Sequence, residues 1–513
     1  MRYILLLCLC SFACTADAVQ IKRLEPANWW AGMQHPELQL MLYGEDIASL
    51  TPALNYEGVQ LTAVTRTSNP NYLFITLRLA DDVQPGDITL QFYLKDKPVL
   101  SHKYPLLPRR AGSAKRQGFN PSDVIYLLMP DRFANGKPEN DNLPGMPDIT
   151  NRAAANGRHG GDLAGMTAAL GYIAGMGYTT IWPTPLTENN QRAYSYHGYA
   201  ATDLYNIDAR FGSNSDYRDF VVSANNLGIK VIQDIILNHI GDQHWWLDDL
   251  PDDNWLNNQE FLSGSPFVAT NHNRSTVQDP YASKVDAARF TDGWFVDTMP
   301  DLNQRHPLLA TYLIQNSIWW LEYANLSGIR EDTYGYADKA FLSEWARRIM
   351  LEYPNLNIVG EEWSSNPLIV SYWQAGKQNH DGYISYTPSM LDFPLYDALV
   401  NALTANESWN GGWIGLYEML SNDHTYARPF NLVTFESNHD VPRLFSLINE
   451  DIDLYRMALS YLLTMRGIPQ MFYGSEIAMT SPKVRADGEV RADFPGGWAG
   501  DKVNAFSGKG LTE

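Results

Sequence analysis

The sequence predicts a (β/α)8 barrel with a long excursion after its third strand, preceded by an antiparallel β-sandwich. Three observations predict it. From Asp123 onward, short β-branched or apolar runs recur eight times, most of them followed by a helix-like segment; eight β/α alternations argue for a parallel barrel. Residues 241–299 lack this rhythm and are rich in Asp, Asn, Trp and Pro. Residues 20–107 instead show short alternating runs broken by turn residues, as antiparallel strands do.

The N-terminus reads as an export signal over residues 1–18. Arg2 supplies positive charge, Tyr3 to Phe12 is mostly apolar, and Ala16-Asp17-Ala18 fits a small-x-small cleavage site. Lipidation at Cys14 is the rival reading. Cys8, Cys10 and Cys14 all lie in this segment, so cleavage after Ala18 would leave no thiol. The expected destination is outside the cytoplasm, first the periplasm, with a lipoprotein or an extracellular protein as the other outcomes. No later stretch approaches the length of a membrane span.

The sandwich is expected over residues 19–110, from runs such as LQLMLYG (38–44), YLFITLRLA (72–80) and ITLQFYL (88–94). The basic, small-residue stretch 108–118 reads as a linker. The barrel is expected over 119–513. Its strands are expected at 124–130, 179–184, 230–236, 327–332, 357–362, 382–387, 432–437 and 469–474. Helices are expected at 215–228, 308–325 and 338–353, and the excursion at 240–300. After Glu476 the chain is Gly-rich and aperiodic, with no candidate for an eighth helix. The expectation is therefore that strands one and eight expose apolar surface and that the chain is aggregation-prone.

Composition excludes some partners. The 513 residues carry a net charge of −20, which repels nucleic acid and anionic lipid. Neutral sugars are indifferent to it. The 15 Trp and 29 Tyr offer flat faces for sugar rings, although a large core uses them equally.

In a (β/α)8 barrel the reactive residues sit at the C-terminal ends of the strands. Strand three ends in Asp234 and leads to Asn238-His239. Strand four ends Arg330-Glu331-Asp332, strand five Glu361-Glu362-Trp363, and strand seven leads to Asn438-His439-Asp440. Carboxylates from strands four, five and seven would converge on one rim. One can stay ionised while another has its pKa raised and donates a proton, the logic of glycoside hydrolysis. Arg330, two residues before Asp332, shares its strand face and would hold it ionised. A single carboxylate at a strand end is often only a helix cap; the ordered set is the signal.

Taken together these segments resemble the α-amylase family of retaining α-glucan hydrolases. The matching stretches are DIILNH (234–239), GIRED (328–332), GEEW (360–363) and FESNHD (435–440), with YHGY (196–199) and GIPQMFYG (467–474). MPDRFANG (129–136), HGGDL (159–163), MPDLN (299–303) and DTYGYADK (332–339) are similar to its cyclomaltodextrinase, neopullulanase and periplasmic starch-degrading branch. The resemblance implies Asp332 as nucleophile, Glu361 as acid/base and Asp440 as the residue that binds hydroxyls and favours a distorted ring. It implies that Arg330 orients Asp332. His197, His239 and His439 would bind the same ring, Tyr199 would stack under it, and Asp234 and Asn238 would support the floor. Glu362 is the rival acid, but strand alternation turns it to the opposite face. The resembled family also has a C-terminal sandwich, which this chain does not show.

The resemblance further implies a structural calcium held by Asn135, Asn140, Asp141, the Gly160 carbonyl and Asp162. Lys137 stands where a carboxylate is usual, so a hydrogen-bonded loop without metal stays open. Zinc is disfavoured, because no two histidines form an HxH or HxxxH pair. Trp245, Trp246, Trp255 and Trp294, like Trp29 and Trp30, serve either as packing or as sugar platforms. The expected partner is an α-glucan oligosaccharide or polysaccharide, with no nucleic acid and no membrane span; a homo-oligomer stays open. The expected reaction is retaining hydrolysis of α-1,4-glucosidic bonds in maltooligosaccharides, cyclodextrins, starch or pullulan. Transglycosylation by the same site and glucan binding without turnover are the alternatives.

Overall fold

The computed structural model describes residues 19–409 and 411–512. The export signal read in residues 1–18, with its three cysteines, lies outside them. The chain forms two compact units, one of residues up to 31 together with 36–107, the other of 32–35 together with 108–513.

The first unit holds strands β1 (Arg23–Glu25), β2 (Trp29–Trp30), β3 (Glu37–Tyr43), β4 (Thr51–Leu54), β5 (Val59–Arg66), β6 (Tyr72–Leu79), β7 (Gly86–Leu94) and β8 (Lys97–Leu107). They make two four-stranded sheets, ordered β1-β3-β6-β5 and β2-β8-β7-β4. All pairs are antiparallel except β2–β8. The central pair β3–β6 buries Leu38, Leu40, Leu42, Leu73, Ile75 and Leu77. The edge strand β5 keeps its residues partly or fully exposed, which suits its Gln60, Thr62, Thr65 and Arg66. Lys95 and Asp96 both take positive φ and turn the tight β7–β8 hairpin. Trp29 and Trp30 are buried, so they pack this unit and offer no free ring face.

The second unit is the barrel. Its strands are β9 (Ile125–Leu128), β10 (Thr180–Pro183), β13 (Lys230–Ile236), β14 (Gly328–Asp332), β15 (Asn357–Gly360), β16 (Ser389–Met390), β17 (Val433–Phe435) and β18 (Ile468–Phe472). Between β10 and β13 lies a two-stranded ribbon of β11 (Thr187–Glu188) and β12 (Asp203–Ile207). The barrel order is β16-β15-β14-β13-β10-β9-β18-β17, parallel throughout. A parallel bridge from Leu391 to Val433 closes the ring. Helices between the strands start on local signals. Ser213 and Asp216 form a capping box on helix Asn214–Asn226, and Asp338, Asp392 and Asp451 cap three others.

Two expectations are corrected. The sixth strand is not 382–387 but the dipeptide Ser389–Met390, paired with Val359 and Gly360. The aromatic and β-branched density of 382–387 mimicked a strand. Those side chains serve a loop instead: Tyr383 stacks on Tyr372 at 5.0 Å, and Ser385 donates to the Trp373 carbonyl. Second, β9 and β18 are buried along their whole length. The C-terminal segment folds back over this part of the molecule. Phe494 N–H donates to the Arg132 carbonyl at 2.8 Å, and Asn135 N–H to the Gly497 carbonyl at 2.9 Å. Phe494 and Phe506 pack on Phe133 and Tyr172 with ring centroids 5.1–5.7 Å apart.

The excursion between β13 and helix Pro307–Ala324 contains one regular helix, Lys284–Asp292, and several single turns. Bridges His239–Asp301, Leu256–Leu302 and Ala269–Trp294 tie it together. Trp246, Trp255 and Trp294 are buried inside it, which fits packing and not sugar stacking. Among the described residues no helix is long and apolar enough to cross a membrane.

Phe494 is fully buried in the aromatic cluster. Phe494→Ala should therefore destabilise the barrel by about 3–5 kcal/mol, read as a lower urea midpoint. An unchanged midpoint would mean that the segment contributes nothing to folding.

Candidate active site

Strand pairing sets the centre of the site. Asp234 on β13 is in register with Arg330 on β14, and Ile236 with Asp332. Alternation along β14 sends Arg330 and Asp332 to one face and Glu331 to the other. The Arg330 side chain is buried, and its guanidinium bridges three carboxyls. Nη1 donates to Asp234 Oδ1 at 2.8 Å and to Asp332 Oδ1 at 2.7 Å; Nη2 donates to Glu361 Oε2. Trp182 Nε1–H and the Tyr199 hydroxyl occupy the other Asp234 oxygen at 2.9 and 3.0 Å. Thr333, directly after Asp332, takes φ 50°, an uncommon conformation for a β-branched residue. That turn aims its N–H at Glu361 Oε2, 3.3 Å away.

Asp332 and Glu361 line a cleft of about 400 Å³ together with His197, Tyr199, His239, His439 and Asp440. Arg330 and Asp234 do not line it, in keeping with the expectation that one orients Asp332 and the other supports the floor. Both lie beneath the floor, where an Arg330 Nη1–H meets one Asp234 oxygen and Trp182 and Tyr199 occupy the other. They support the site. Asn238 likewise turns away, donating to Asp301 Oδ1 at 2.9 Å and so anchoring the return of the excursion. Tyr199 lies beside His439 with rings 5.3 Å apart and nearly parallel, and its hydroxyl meets His439 Nε2 at 2.8 Å. His239 Nε2 contacts the Tyr199 carbonyl at 3.1 Å, and His197 Nδ1 accepts the Tyr199 N–H at 2.9 Å.

The electrostatics separate the three carboxyls. Burial pushes Glu361 up to about 8, against the pull of Arg330 and with help from the Asp332 and Asp440 charges. Burial also raises Asp332, to about 6, opposed by Arg330 and by a hydrogen bond from Glu361. Glu361 is raised further than Asp332 and so keeps its proton to the higher pH. Asp440 behaves differently. Burial opposes its charge, but His439 at 3.1 Å, Arg491 at 2.8 Å and Arg485 at 3.3 Å hold it well below the usual carboxylate range. Burial pushes His197 and His439 down to about 3 and His239 to about 4, so near neutral pH all three are uncharged hydrogen-bonding groups.

Sequence reasoning missed several lining residues. Arg485, Asp487 and Arg491 come from the segment that looked like an aperiodic tail. Arg491 reaches Asp440, and its Nε donates to the His439 carbonyl at 2.8 Å. Only the clustering of charge in RADGEVR hinted at this. His272, Arg274, Phe295 and Met299 come from the excursion, and Tyr336 and Trp363 follow the strand ends. Glu362 faces away from the cleft, as alternation requires, and accepts Trp373 Nε1–H at 2.9 Å.

The proposed calcium ligands form one loop cluster. Asn135 Nδ2 donates to Asp141 Oδ1 and Oδ2 at 2.8 and 3.1 Å, and Asp162 accepts the N–H groups of Gly136, Lys137 and Gly165. A Cβ on Gly160 would stand 2.7 Å from Asp141 Oδ1, which brings that backbone into contact with the carboxylate. Two features fit a cation. Asn140 Oδ1 is buried without a hydrogen-bond partner. Burial, and then the nearby Asp162 charge, push the Asp141 carboxyl up against the Asn135 hydrogen bond.

Comparison with known proteins places these features. Residues 127–494 match the profile of the α-amylase catalytic domain, and residues 23–110 that of the cyclomaltodextrinase N-terminal domain. A cyclomaltodextrinase of Geobacillus thermopakistaniensis is 28% identical over 369 residues, 70% of this chain and 56% of its own length. A cyclomaltodextrin glucanotransferase of Geobacillus stearothermophilus is 28% identical over 409 residues, 77% of this chain and 54% of its own length. The chain thus spans about half the length of these curated relatives. Among solved structures, the α-amylase of Geobacillus thermoleovorans complexed with acarbose is 30% identical with a TM-score of 0.59, covering 74% of this chain and 75% of that one.

Removing Arg330 would strip the buried carboxyls of their cation. Arg330→Met should cost about 3–5 kcal/mol near neutral pH. The sign with pH follows from the carboxyls. Asp234 and Asp332 are both raised by burial to about 6, so below that pH they take up protons in the fold and need no counter-charge. The loss should shrink as pH falls through about 6, measured by urea unfolding of both proteins across pH. A pH-independent loss would contradict the charge argument.

Proposed function

The chain belongs to the α-amylase family, and from that premise we propose that it hydrolyses α-1,4-glucosidic bonds with retention of configuration. One observation carries the reading: a single buried guanidinium contacts both Asp332 and Glu361, with the proton on Glu361 and an ionised Asp440 in the same cleft. An inverting pair stands about 6.5–9.5 Å apart to admit a water. Two carboxyls bridged by one guanidinium fit the shorter spacing of a retaining pair, about 5–5.5 Å.

In the proposed reaction Asp332 attacks the anomeric carbon while Glu361 protonates the departing glycosidic oxygen. A covalent ester to Asp332 results. Glu361, now ionised, takes a proton from water, which attacks the anomeric carbon, breaks its bond to the Asp332 oxygen and frees Asp332. Asp440 and the neutral rings of His197, His239 and His439 hydrogen-bond the hydroxyls of the ring being cleaved. Maltooligosaccharides, cyclodextrins, starch and pullulan are the proposed substrates. The proposed work is outside the cytoplasm, a reading supported by the export signal expected in residues 1–18. A sugar hydroxyl in place of water gives transfer by the same steps; the likeness to a glucanotransferase supports that second reading.

The test is incubation with maltoheptaose and β-cyclodextrin, following products by proton NMR. Early α-anomeric products are expected, longer chains mark transfer, and β-anomeric products would overturn retention. Asp332→Asn should lower turnover by about 10⁴-fold or more while maltoheptaose still binds. Full activity in that variant would remove Asp332 from its role.

A calcium ion at Asn135, Asn140, Asp141, Gly160 and Asp162 is proposed as structural, since it would relieve the Asp141–Asp162 repulsion. At calcium 100 times its Kd, the fold should gain about 2.7 kcal/mol. Chelation should lower Tm, and calcium should restore it. A Tm indifferent to both would leave the loop as a hydrogen-bonded turn.

A further inference from the structure

Glu362 follows the proposed acid Glu361, yet no step above uses it. It is a buried carboxylate tied to two places. Trp373 Nε1–H donates to one oxygen, and Arg274 Nε stands 3.1 Å from the other. The Arg274 N–H does not point along that line, so the contact is ionic and not a directed hydrogen bond. The carboxylate also lies against Gly335, where any side chain would collide with it. Gly335 sits in the turn just after Asp332.

Arg274 belongs to the excursion and lines the cleft. Its guanidinium lies 5.2 Å from the centre of the Tyr336 ring. Two neighbours from the excursion grip the same tyrosine: His272 Nδ1 meets the Tyr336 hydroxyl at 2.9 Å, and the Phe295 ring lies 4.5 Å from the Tyr336 ring. The excursion thus meets the ends of β14 and β15 through Tyr336 and Glu362. Of these contacts, the Glu362 pair is the one between a carboxyl and a guanidinium.

Resting on the α-glucan reading, we propose that Arg274 and Glu362 are a positioning pair that sets the wall of the cleft on the leaving-group side. Glu361 protonates the departing oxygen, so the departing sugar lies on the acid's side. A sugar acceptor must return to the same place. In that reading the ring being cleaved is held instead by Asp440 and His439, whose side chains meet at 3.1 Å. Arg274 stands with the residue next to the acid. Water attacks the ester without needing this wall, whereas a sugar acceptor must be held by it. Loosening the pair should therefore penalise transfer more than hydrolysis, and should raise KM for maltoheptaose.

The test uses the full chain with maltoheptaose and added maltose, scoring how the intermediate partitions between maltose and water. Arg274→Met and Glu362→Gln should each lower that transfer-to-hydrolysis ratio by about threefold or more. The double variant should fall no further than the single ones, because both remove one interaction. Arg274→Lys should recover part of the ratio, which a purely steric role would not predict. Arg274 is partly exposed, so its variant reports even if Glu362→Gln folds poorly. A ratio within about 1.5-fold of the unaltered chain in Arg274→Met, additive losses in the double variant, or no transfer at any maltose concentration would each overturn the pair's role. An unaltered chain that releases no product at all would instead overturn the α-glucan reading, and this proposal with it.

Discussion

One buried guanidinium organises the barrel floor. Arg330 is taken out of water, a cost repaid only when each of its charge-assisted hydrogen bonds is made with good geometry. Three adjacent strands supply the partners: Asp234 from β13, Asp332 from β14 and Glu361 after β15. The charge count then decides protonation. One cation can compensate Asp234 and Asp332 only in part, and a third ionised carboxyl beside it would meet two like charges in a poorly solvated space. Glu361 therefore keeps its proton while Asp332 can give its own up. The distinction between the proposed acid and the proposed nucleophile follows from one positive charge placed among three acids.

Asp440 is freed from that competition by a second positive centre. Arg491 and Arg485 reach it from the C-terminal segment, and Arg491 also fixes the His439 backbone. The segment is itself held by a buried arginine: Arg132 donates to the carbonyls of Arg491 and Gly157 at 2.8 and 2.7 Å and lies over the Tyr196 ring. So the cleft has two electrostatic halves. Around Arg330 a proton is retained; around Arg491 it is expelled. The strands build the first half, and a long-range return of the chain builds the second.

That division explains what was legible in the sequence. Arg330, Asp332, Glu361 and Asp440 stand at or just after strand ends, where barrel geometry alone makes carboxylates converge, so the hydrophobic rhythm located them. The sixth strand was missed because two residues carry no period, while 382–387 has strand-like composition and serves a loop. Arg485, Asp487 and Arg491 were missed because their role depends on a fold-back that no local pattern encodes. Asp234 and Arg330 were located as residues that support the floor and orient Asp332. Their burial beneath the floor is a tertiary fact, since sequence spacing cannot say which side chains reach the cleft and which are used up below it.

Strand alternation also settles a chemical ambiguity that composition leaves open. Glu331 and Glu362 are the immediate neighbours of Asp332 and Glu361 and carry the same functional group. Alternation sends Glu331 away from the cleft, where burial pushes its carboxyl far up; both of its oxygens lack a hydrogen-bond partner among the described residues. Glu362 is raised by burial to about 7, against the Arg274 charge and the Trp373 hydrogen bond. Neither faces a bond to be cleaved. Four acids on two neighbouring strand ends thus divide by facing alone. The inward pair shares one guanidinium. Of the outward pair, Glu331 is held neutral by its surroundings and Glu362 is tied to the excursion. A carboxyl's role here is set by the face of its strand and by the cation that face meets, because burial raises all four and only those contacts tell them apart.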